Sequence, residues 1–201
     1  MYIKGNKVLL RFIEPRDLEA IREMTNSPDQ ERMIVGWSFP TAVKHQEDWY
    51  QRILADKNNF RFAIEFKGEF VGLSTLTNID WKNSSAHHGI RLTLDAPKGQ
   101  GIGTDAVFAT MRYAFEELNL NRLYGSILDY NTASWKLYTK CGWKSEGVFK
   151  QSVFKNNQYH DESPVAILKS EYLNWKESVL LGGGGDYQIV TIFFLEERRA
   201  A

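Results

Sequence analysis

The 201-residue sequence predicts an α+β fold, in which helices flank a mixed, mostly antiparallel central sheet. One observation is the order of the patterned segments: several strands, one helix, one strand, a second helix and then two strands. Another is the strict apolar alternation from Phe60 to Lys67, which a Lys67-Gly68-Glu69 turn joins to a strand from Phe70 to Leu76. A doubly wound fold would instead alternate single strands with single helices.

The N-terminal segments predict one strand and two helices. Val8 to Phe12 is a short apolar strand, and the helix that follows it ends at Ser27-Pro28-Asp29. A second helix is expected to begin after Thr41, since threonine is a favoured N-cap residue. The segment 33–40 between the helices is apolar but flanked by Gly and Pro, and it is expected to be a loop.

The later elements follow from the same periodicities. The strand from Phe60 to Lys67 is expected to have one buried face and one face in water, because its apolar residues alternate. The elements after its hairpin are a strand from His88 to Asp95 stopped by Pro97, a helix from near Thr104 to Leu118, a strand from Leu123 to Leu128, a helix from Thr132 to Lys140 closed by Gly142, and strands from Val148 to Phe154 and Pro164 to Lys169 around a 155–158 turn.

The chain is expected to divide into a folded domain at 1–180, a glycine-rich linker at 181–186 and a strand-like tail at 187–201. Four consecutive glycines lose too much entropy to hold a helix or a strand. Tyr187 to Leu195 is an apolar, β-branched and aromatic run that would promote aggregation if left unpaired. We predict that it docks as a strand, on its own sheet or on a second copy in a homodimer; the alternative is a tail without a role.

The composition limits the classes of function. The 25 Lys and Arg residues balance the 25 Asp and Glu residues, so no overall positive field favours nucleic acid or an anionic membrane. Cys141 is the only cysteine, which excludes an intrachain disulfide and argues against a zinc cluster. The sequence shows neither a signal peptide nor a long apolar span. We expect a soluble, cytoplasmic protein without a metal site, whose partner is small or local.

The chemistry is predicted to lie where a strand gives way to a helix, between Lys98 and Thr104. Glycines there let the backbone approach a ligand closely, and the free amides of a helix N-terminus attract an anion such as a pyrophosphate. Glycines at this spacing also occur in ordinary tight turns, so their position between strand and helix carries more weight than the motif. A Walker loop and a dinucleotide-binding fingerprint are both disfavoured by the spacing.

Two segments together resemble the GNAT acetyltransferase superfamily. Lys98-Gly99-Gln100-Gly101-Ile102-Gly103-Thr104-Asp105-Ala106 is similar to the acyl-CoA pyrophosphate loop of that family. Asn131-Thr132-Ala133-Ser134-Trp135-Lys136-Leu137-Tyr138-Thr139-Lys140-Cys141-Gly142-Trp143 is similar to the element that follows it. The likeness extends from Val8 to Leu173, and Glu146-Gly147 and Tyr159-His160-Asp161-Glu162 look closest to the branch that acetylates protein N-termini and polyamines. It implies acetyl-CoA as cosubstrate.

The resemblance also implies how acetyl-CoA is held. The strand before the loop would pair through its backbone with the pantetheine arm, as an added strand does, and amides of the loop would hold the pyrophosphate. Lys98 stands where the family has Arg or Gln, and it keeps a charge without the planar fork of Arg. The implied site consists of Leu92, Thr93, Leu94, Lys98, Gly99, Gln100, Gly101, Ile102, Gly103, Thr104, Asn131 and Tyr138.

Two catalytic residues are proposed. The resemblance implies that Tyr138 donates a proton to the leaving thiolate, whereas spacing alone favours an aromatic core anchor. The attacking ammonium must first lose a proton, and His87 is the first choice of general base, because it titrates near neutrality and lies just before Gly89, where many relatives carry a Glu. His88 alternates to the opposite face of the strand. Two hydrogen-bonded surface histidines are the alternative.

The predicted function is transfer of an acetyl group from acetyl-CoA to a primary amine: a protein N-terminus, a polyamine or another small amine. The alternative is a catalytically idle acyl-CoA-binding module, since Lys98 departs from the family and the base is open. Acceptor specificity is expected from 34–39, the second helix and the 153–161 hairpin. Glu31 and Glu47 are candidates to attract a cationic amine, although such residues are more often solvated helix faces.

Overall fold

One sheet organises the molecule. The computed structural model describes residues 2–36 and 39–181, apart from the side chains of 177–181. The strands are β1 (Ile3–Lys4), β2 (Val8–Phe12), β3 (Phe60–Phe66), β4 (Glu69–Asp80), β5 (Ser85–Leu92), β6 (Arg122–Leu128), β7 (Lys144–Ser145), β8 (Phe149–Lys155) and β9 (Gln158–Leu168). They are hydrogen-bonded in the order β1-β2-β3-β4-β5-β6-β9-β7, with β8 on β9. Every pairing is antiparallel except the parallel pairing of β5 with β6.

The helices of the described residues are α1 (Leu18–Asn26), α2 (Pro28–Glu31), α3 (Val43–Ala55), α4 (Ile102–Arg112), α5 (Thr132–Lys140) and α6 (Lys169–Leu181). A 3-10 turn at Pro15–Asp17 leads into α1, and α4 ends in a π turn at Tyr113–Glu117. These elements confirm the predicted α+β class with a mixed, mostly antiparallel sheet. Helix α6 was not predicted, because its sequence shows no amphipathic stripe.

Both faces of the sheet are covered. Helix α4 lies over the larger core, which contains Ile64, Leu76 and Leu123. Helices α1 and α3 cover the opposite face, around a smaller core that contains Ala63, a residue with no exposed surface. The prediction that this side of β3 faces water was therefore wrong. A small alanine leaves room for the covering helices, and the charged residues beside it are paired with other charges.

An ion-pair cluster holds β2, β3 and the start of α1 together. The Arg11 guanidinium donates to the Asp17 carboxylate at 2.7 and 2.9 Å and to Glu65 at 2.7 Å. Burial alone would raise the pKa of Asp17, but hydrogen bonds from Arg11 and from the Glu14 amide lower this pKa overall. The charged residues on this face of β3 can therefore be covered by helices, because their charges are paired.

Several predicted boundaries were displaced. Strand β4 extends to Asp80 rather than Leu76, and β9 begins at Gln158 rather than Pro164, because both strands stay paired with their neighbours beyond the predicted ends. Strand β5 spans 85–92 rather than 88–95, because the chain turns at Thr93, whose carbonyl accepts from the Ala96 amide at 3.2 Å. Helix α3 begins without a side-chain cap, since the backbone of Thr41 is instead hydrogen-bonded to the side chain of Asn26. Helix α4 begins at Ile102, ahead of the expected Thr104.

The predicted turns are confirmed. Lys67 and Gly68 join β3 to β4 with φ angles of 54° and 88°, and Asn156 and Asn157 join β8 to β9 with 48° and 60°. Two consecutive positive φ angles give the turn whose twist matches that of paired strands. Gly142, with φ of 84°, follows α5 in the left-handed conformation that commonly ends a helix.

In the described part of the chain, no helix combines the length and the apolar character that crossing a membrane requires. The predicted linker begins at Leu181, which is the last residue of α6. The rest of the linker and the predicted strand at 187–195 lie outside the described residues.

Candidate active site

The sheet opens between β5 and β6. These strands pair only over 85–87 of β5 and 122–124 of β6. Beyond that point β5 continues along β4, and β6 continues along β9. A Cβ on Gly125 of β6 would lie 3.1 Å from the His88 carbonyl oxygen, so a glycine allows the close approach from which the strands diverge. The divergence leaves a gap with an unpaired edge of β5 on one side.

Backbone direction decides which residues of β5 face this gap. The Thr93 amide donates to a β4 carbonyl at 2.9 Å, so alternate residues counted back from Thr93 turn their backbone groups toward β4. Ile90 and Leu92 turn theirs into the gap, where the Leu92 carbonyl accepts from Gln30 at 2.7 Å. Leu94 lies in an exposed turn. Of the predicted Leu92–Leu94 segment, only Leu92 turns its backbone groups into the gap, whereas Thr93 lines the loop end of the groove and Leu94 lines its middle part. Ile90 is a further backbone position at the gap that the sequence did not predict.

The predicted pyrophosphate loop leads directly into α4. Gly99 and Gly101 have φ angles of 74° and 77°, which residues with a side chain rarely adopt. The Asp105 amide donates to the Gly101 carbonyl at 2.9 Å and begins the helical hydrogen bonding. The amides of 102–104 precede it, have no intrahelical acceptor and lie at the positive end of the helix dipole. An anionic group can therefore bind to them.

The N-terminal turn supports this loop from beneath. The Asp105 carboxylate accepts from the amides of Asn6, Lys7 and Val8 at 2.9, 2.7 and 2.9 Å. The Lys7 ammonium donates to the Gln100 carbonyl at 3.0 Å, which places a cation beside the loop. Gln100 is thus bound through its backbone to the N-terminal turn. No local pattern predicts this contact, because 93 residues separate the two partners.

Three cavities form a continuous groove along the gap, with volumes of about 520, 360 and 460 Å³; we call them the inner, middle and loop cavities. The inner and middle cavities share Ile90 and Asn131, and the middle and loop cavities share Leu92 and Leu137. The predicted residues that line the loop cavity are Leu92, Thr93, Lys98, Gly99, Gly101, Ile102, Gly103 and Thr104.

The inner cavity contains Tyr138, which ends a buried chain of polar side chains. Its phenol oxygen lies 2.9 Å from Nδ1 of His88, and Nε2 of His88 lies 3.4 Å from Oγ of Ser74. The Ser74 hydroxyl is 2.7 Å from Oγ1 of Thr110, which is also 2.9 Å from the Ala106 carbonyl. The four side chains are buried. The phenol is therefore held in one position at the inner end of the groove.

Burial determines the protonation states in this chain. It lowers the pKa of His88 from 6.5 to about 3, with a smaller contribution from neighbouring His87. It raises the pKa of Tyr138, so the phenol keeps its proton at neutral pH. The imidazole of His88 is consequently neutral, with one N–H and one acceptor nitrogen.

His87 lines the inner cavity as well, from the opposite face of β5. Its Nδ1 lies 3.5 Å from Oγ1 of Thr77, at the limit of a hydrogen bond, and its ring packs edge-to-face on Tyr124. Burial lowers the pKa of His87, which favours the unprotonated imidazole at neutral pH. Alternation along a strand suggests that only one of two adjacent histidines reaches a cleft, but both His87 and His88 do so here because the sheet is open at this point.

Asn131 connects the helix of Tyr138 to the opposite wall of the groove. Its Oδ1 accepts from the Ser134 amide at 3.0 Å, which caps α5, and its Nδ2 donates to the Met33 carbonyl at 2.8 Å. Asn131 lines both the inner and the middle cavity. Its side-chain amide is engaged in these two protein contacts, so the capping role is present in the structure.

The segment 32–36, which we call the roof, follows α2, and its residues 33–36 line the inner cavity. Lys155 is buried, and its ammonium donates to the carbonyls of Gly36 and Glu31 at 2.8 and 3.2 Å and to the Glu31 carboxylate. The Tyr130 hydroxyl donates to the Arg32 carbonyl. The Glu31 carboxylate, a candidate to attract an amine, is therefore already paired with a lysine.

Comparison with known proteins identifies the class to which this fold and groove belong. The family model described as the acetyltransferase (GNAT) domain matches residues 7–144. The chain belongs to this family, and it is an acetyl-CoA-dependent N-acetyltransferase.

Similar proteins are found at the level of sequence and structure. The spermidine N(1)-acetyltransferase of Vibrio cholerae serotype O1 is 28% identical over 177 residues, which cover 86% of this chain and 99% of that protein. The putative ribosomal N-acetyltransferase YdaF of Bacillus subtilis is 29% identical, with coverage of 82% and 93%. The crystal structure of the Vibrio cholerae spermidine N-acetyltransferase in complex with CoA and spermine matches with a TM-score of 0.78 and 27% identity, over 85% of this chain and 100% of that one.

Proposed function

We propose that the enzyme acetylates a primary amine by direct attack, with Tyr138 as general acid and His87 as general base. The observation that supports this proposal is the position of the Tyr138 phenol, which is protonated and fixed by His88 where the groove reaches the inner cavity. His87 lines the same cavity as an unprotonated base. Both side chains line the inner cavity, one with a proton to donate and one able to accept a proton, which supports assigning them as acid and base.

In this proposal acetyl-CoA binds along the groove, from the loop cavity to the inner cavity. The amides of 102–104 and the nearby Lys7 suit the pyrophosphate, and the unpaired backbone of Ile90 suits the amide-bearing pantetheine arm. Bound acetyl-CoA supplies a thioester, whose carbonyl carbon is attacked by the amine and whose sulfur departs as a thiolate. The inner cavity then has room for the acceptor.

The buried chain holds the phenol hydrogen on His88 until the leaving sulfur is present. The Thr110 hydroxyl donates to the Ala106 carbonyl, so Ser74 donates to Thr110, Nε2–H of His88 donates to Ser74, and the phenol donates to Nδ1 of His88. In this proposal the phenol O–H turns from Nδ1 to the thiolate when the thioester bond breaks. His88 is therefore a positioning residue, and its neutral state supplies the one N–H and the one acceptor nitrogen that the arrangement requires.

Proton transfer from Tyr138 is reasonable because burial acts on both partners. Burial raises the pKa of the phenol, which by itself makes it a weaker acid. Burial likewise raises the pKa of the neighbouring Cys141 thiol, to about 12. A thiolate that is shielded from water beside the phenol is penalised in the same direction, so its affinity for a proton rises as well.

The acceptor is proposed as a primary amine that enters beneath the roof. Relatives of this chain include spermidine acetyltransferases and a putative ribosomal N-acetyltransferase, so polyamines and protein N-termini are both chemically compatible with the family. The inner cavity lies between the roof, α3 and the open part of the sheet. A primary amine there approaches the reaction centre from the face opposite α4.

Kinetics of matched variants test the catalytic assignment. We expect Tyr138→Phe to bind acetyl-CoA with unchanged Kd and to lose roughly 10²- to 10⁴-fold in kcat, because only the proton donor is removed. His87→Gln should abolish the acid limb of the kcat/KM profile, and that limb should lie below pH 6.5 because burial lowers the pKa of His87. Tyr172→Phe, a buried tyrosine bonded to Glu116 away from the groove, is the control.

The same measurements separate the enzyme from an idle acyl-CoA-binding module. Tight acetyl-CoA binding by the unmodified protein, without thiol release for any amine tested, would support the module. An unchanged kcat in Tyr138→Phe would contradict the assignment of the general acid, even if the enzyme is active.

A further inference from the structure

The described lining of the inner cavity lacks the excess of negative charge that binding of a polycation requires. Among the described residues that line it, one is an acid, Glu162, and two are arginines, Arg61 and Arg91. The two histidines there are neutral at physiological pH, since burial lowers the pKa of each. Binding of two or three ammonium groups requires an excess of carboxylates, because like charges placed together are unfavourable. This cavity instead has no excess negative charge.

The candidate carboxylates outside the cavity do not change this balance. Glu31 forms an ion pair with buried Lys155. Glu47 lies on the exposed part of α3, at 4.0 Å from Lys44. Asp29, which lines the middle cavity, is paired with Arg32 at 3.0 Å. Each of these acids is therefore at least partly neutralised before an amine arrives.

Arg91 has a charge that the described part of the protein does not balance. It lines both the inner and the middle cavity, and one of its terminal nitrogens donates to the Met24 carbonyl at 2.6 Å. Its Nε is buried and has no hydrogen-bond partner, and no carboxylate of the described residues forms an ion pair with it. A buried, unsatisfied donor on a charged group is costly, and an anion bound to the guanidinium would offset part of that cost.

The other arginine of the cavity provides a contrast. The Arg61 guanidinium lies 3.3 Å from the Asp56 carboxylate, and both side chains are about equally sheltered from solvent. Arg61 thus already has a counter-ion. Glu162, in turn, accepts from the Ser152 hydroxyl at 3.3 Å and forms no ion pair among the described residues. The cavity consequently offers one unpaired cation and one unpaired anion.

We propose that the acceptor is an amine that also carries a carboxylate, with the carboxylate bound by Arg91 and the ammonium attracted by Glu162 before it is deprotonated. A guanidinium attracts a carboxylate by its charge and donates charge-assisted hydrogen bonds to it. This inference rests on the proposed function and specifies its substrate class as aminocarboxylates, whether free or as part of a peptide.

A series of matched acceptors tests this class with the unmodified enzyme. Glycine, β-alanine, 4-aminobutanoate and 6-aminohexanoate differ in the distance between amine and carboxylate, and each has a neutral amide of the same length. We expect kcat/KM to favour the acid over its amide at least tenfold for the best chain length, and to exceed that for spermidine. An acid-to-amide ratio near one, or spermidine better than every aminocarboxylate, would overturn the proposal.

Two arginine variants locate the effect. Arg91→Gln should reduce the acid-to-amide ratio of kcat/KM toward one, mainly through a higher KM for the acid, whereas Arg91→Lys should retain part of it. Arg61→Gln is the matched control, which removes a cation from the same cavity but should preserve the ratio, since Asp56 already neutralises Arg61. The ratio compares two substrates of one variant, so a general loss of fold or rate does not change it.

The possible outcomes separate this inference from the proposed function. If no amine of any kind is acetylated, the proposed function fails. If amides and alkylamines are acetylated as well as the acids are, only the aminocarboxylate proposal fails. If Arg91→Gln lowers the rates for acid and amide equally, Arg91 acts on the cosubstrate or on the fold, and the proposal is also overturned.

Discussion

At the residue scale, the neutral imidazole of His88 makes the stability of the protein depend on pH. Its pKa is about 3 in the folded protein and near 6.5 in an unfolded chain. As the pH falls below about 6.5, the unfolded chain binds a proton that the folded protein does not, so the free energy of unfolding decreases by up to about 1.4 kcal/mol per pH unit. Above about pH 6.5 His88 is neutral in both states, and this loss of stability is absent.

Urea unfolding of wild type and His88→Gln at pH 7 and pH 5 measures this contribution. We expect the variant to be less stable at pH 7, because hydrogen bonds to Tyr138 and Ser74 are lost. At pH 5 the difference between the two proteins should be smaller by roughly 2 kcal/mol, since only the wild type is penalised for keeping a neutral histidine. A difference that stays constant between the two pH values would show that His88 is accessible to protons.

The roles of several residues could not be predicted from sequence patterns. The motif located Tyr138 and the loop glycines, because their spacing along the chain reflects local structure. The partners of His88 and the unpaired state of Arg91 depend on strands and helices that are distant in sequence, such as α4 over β4. Periodicity indicates the face on which a residue lies, but it does not indicate where a sheet opens.

At the element scale, local signals predicted the hairpins and most helices, and they failed where tertiary contacts determine the ends. The β3–β4 turn follows from its own residues, Lys67 and Gly68. The end of β5 instead depends on the turn closed by the Thr93 carbonyl, and the first residue of α3 depends on Asn26 of a different helix. Helix α6 has no amphipathic pattern from which it could have been inferred.

The first turn of α4 leads to a prediction about the groove. A Cβ on Gly103 would lie 3.4 Å from a methyl group of Leu137 and 3.6 Å from one of Leu92, the two residues shared by the middle and loop cavities. These distances are ordinary contacts, so the fold can accept a side chain there. Its branches would nevertheless occupy the passage between the two cavities.

We therefore expect Gly103→Val to weaken acetyl-CoA binding at least tenfold while the melting temperature changes by only a few degrees, with Gly103→Ala intermediate. Isothermal titration calorimetry and thermal unfolding measure the two effects. Thr132→Val is the control, because it places the same branched side chain in the first turn of α5, at an exposed position. Normal acetyl-CoA affinity in a folded Gly103→Val protein would show that the cosubstrate follows another path.

At the scale of the whole molecule, the inner cavity is assembled from distant parts of the chain. The roof follows α2 near the N-terminus, Tyr130 and Asn131 precede α5, and Lys155 ends β8. Tyr130, Asn131 and Lys155 each donate a hydrogen bond to a carbonyl of the roof. Helix α5, which carries Tyr138, and the roof are therefore linked directly by hydrogen bonds.

Lys155 allows the role of the roof to be tested, because its buried ammonium donates to Gly36 at the end of the roof and to Glu31 directly before it. In Lys155→Met the Glu31 carboxylate loses its partner and two carbonyls lose their donor, so the roof is no longer fixed above the acceptor. We expect KM for the amine to rise at least fivefold, with a much smaller change in KM for acetyl-CoA, whose loop cavity does not include the roof. Steady-state kinetics with each substrate varied in turn measures both constants.

Lys150→Met is the matched control for that measurement. Lys150 lies on the same strand and pairs with Asp161 at 2.8 Å, but its side chain is 79% exposed. Exposed ion pairs contribute little, typically below about 1 kcal/mol, so this variant should keep both KM values. If Lys155→Met changed KM for the amine and KM for acetyl-CoA equally, the cause would instead be a general loosening of the β8–β9 hairpin. A defect confined to the roof is expected to raise KM for the amine much more than KM for acetyl-CoA.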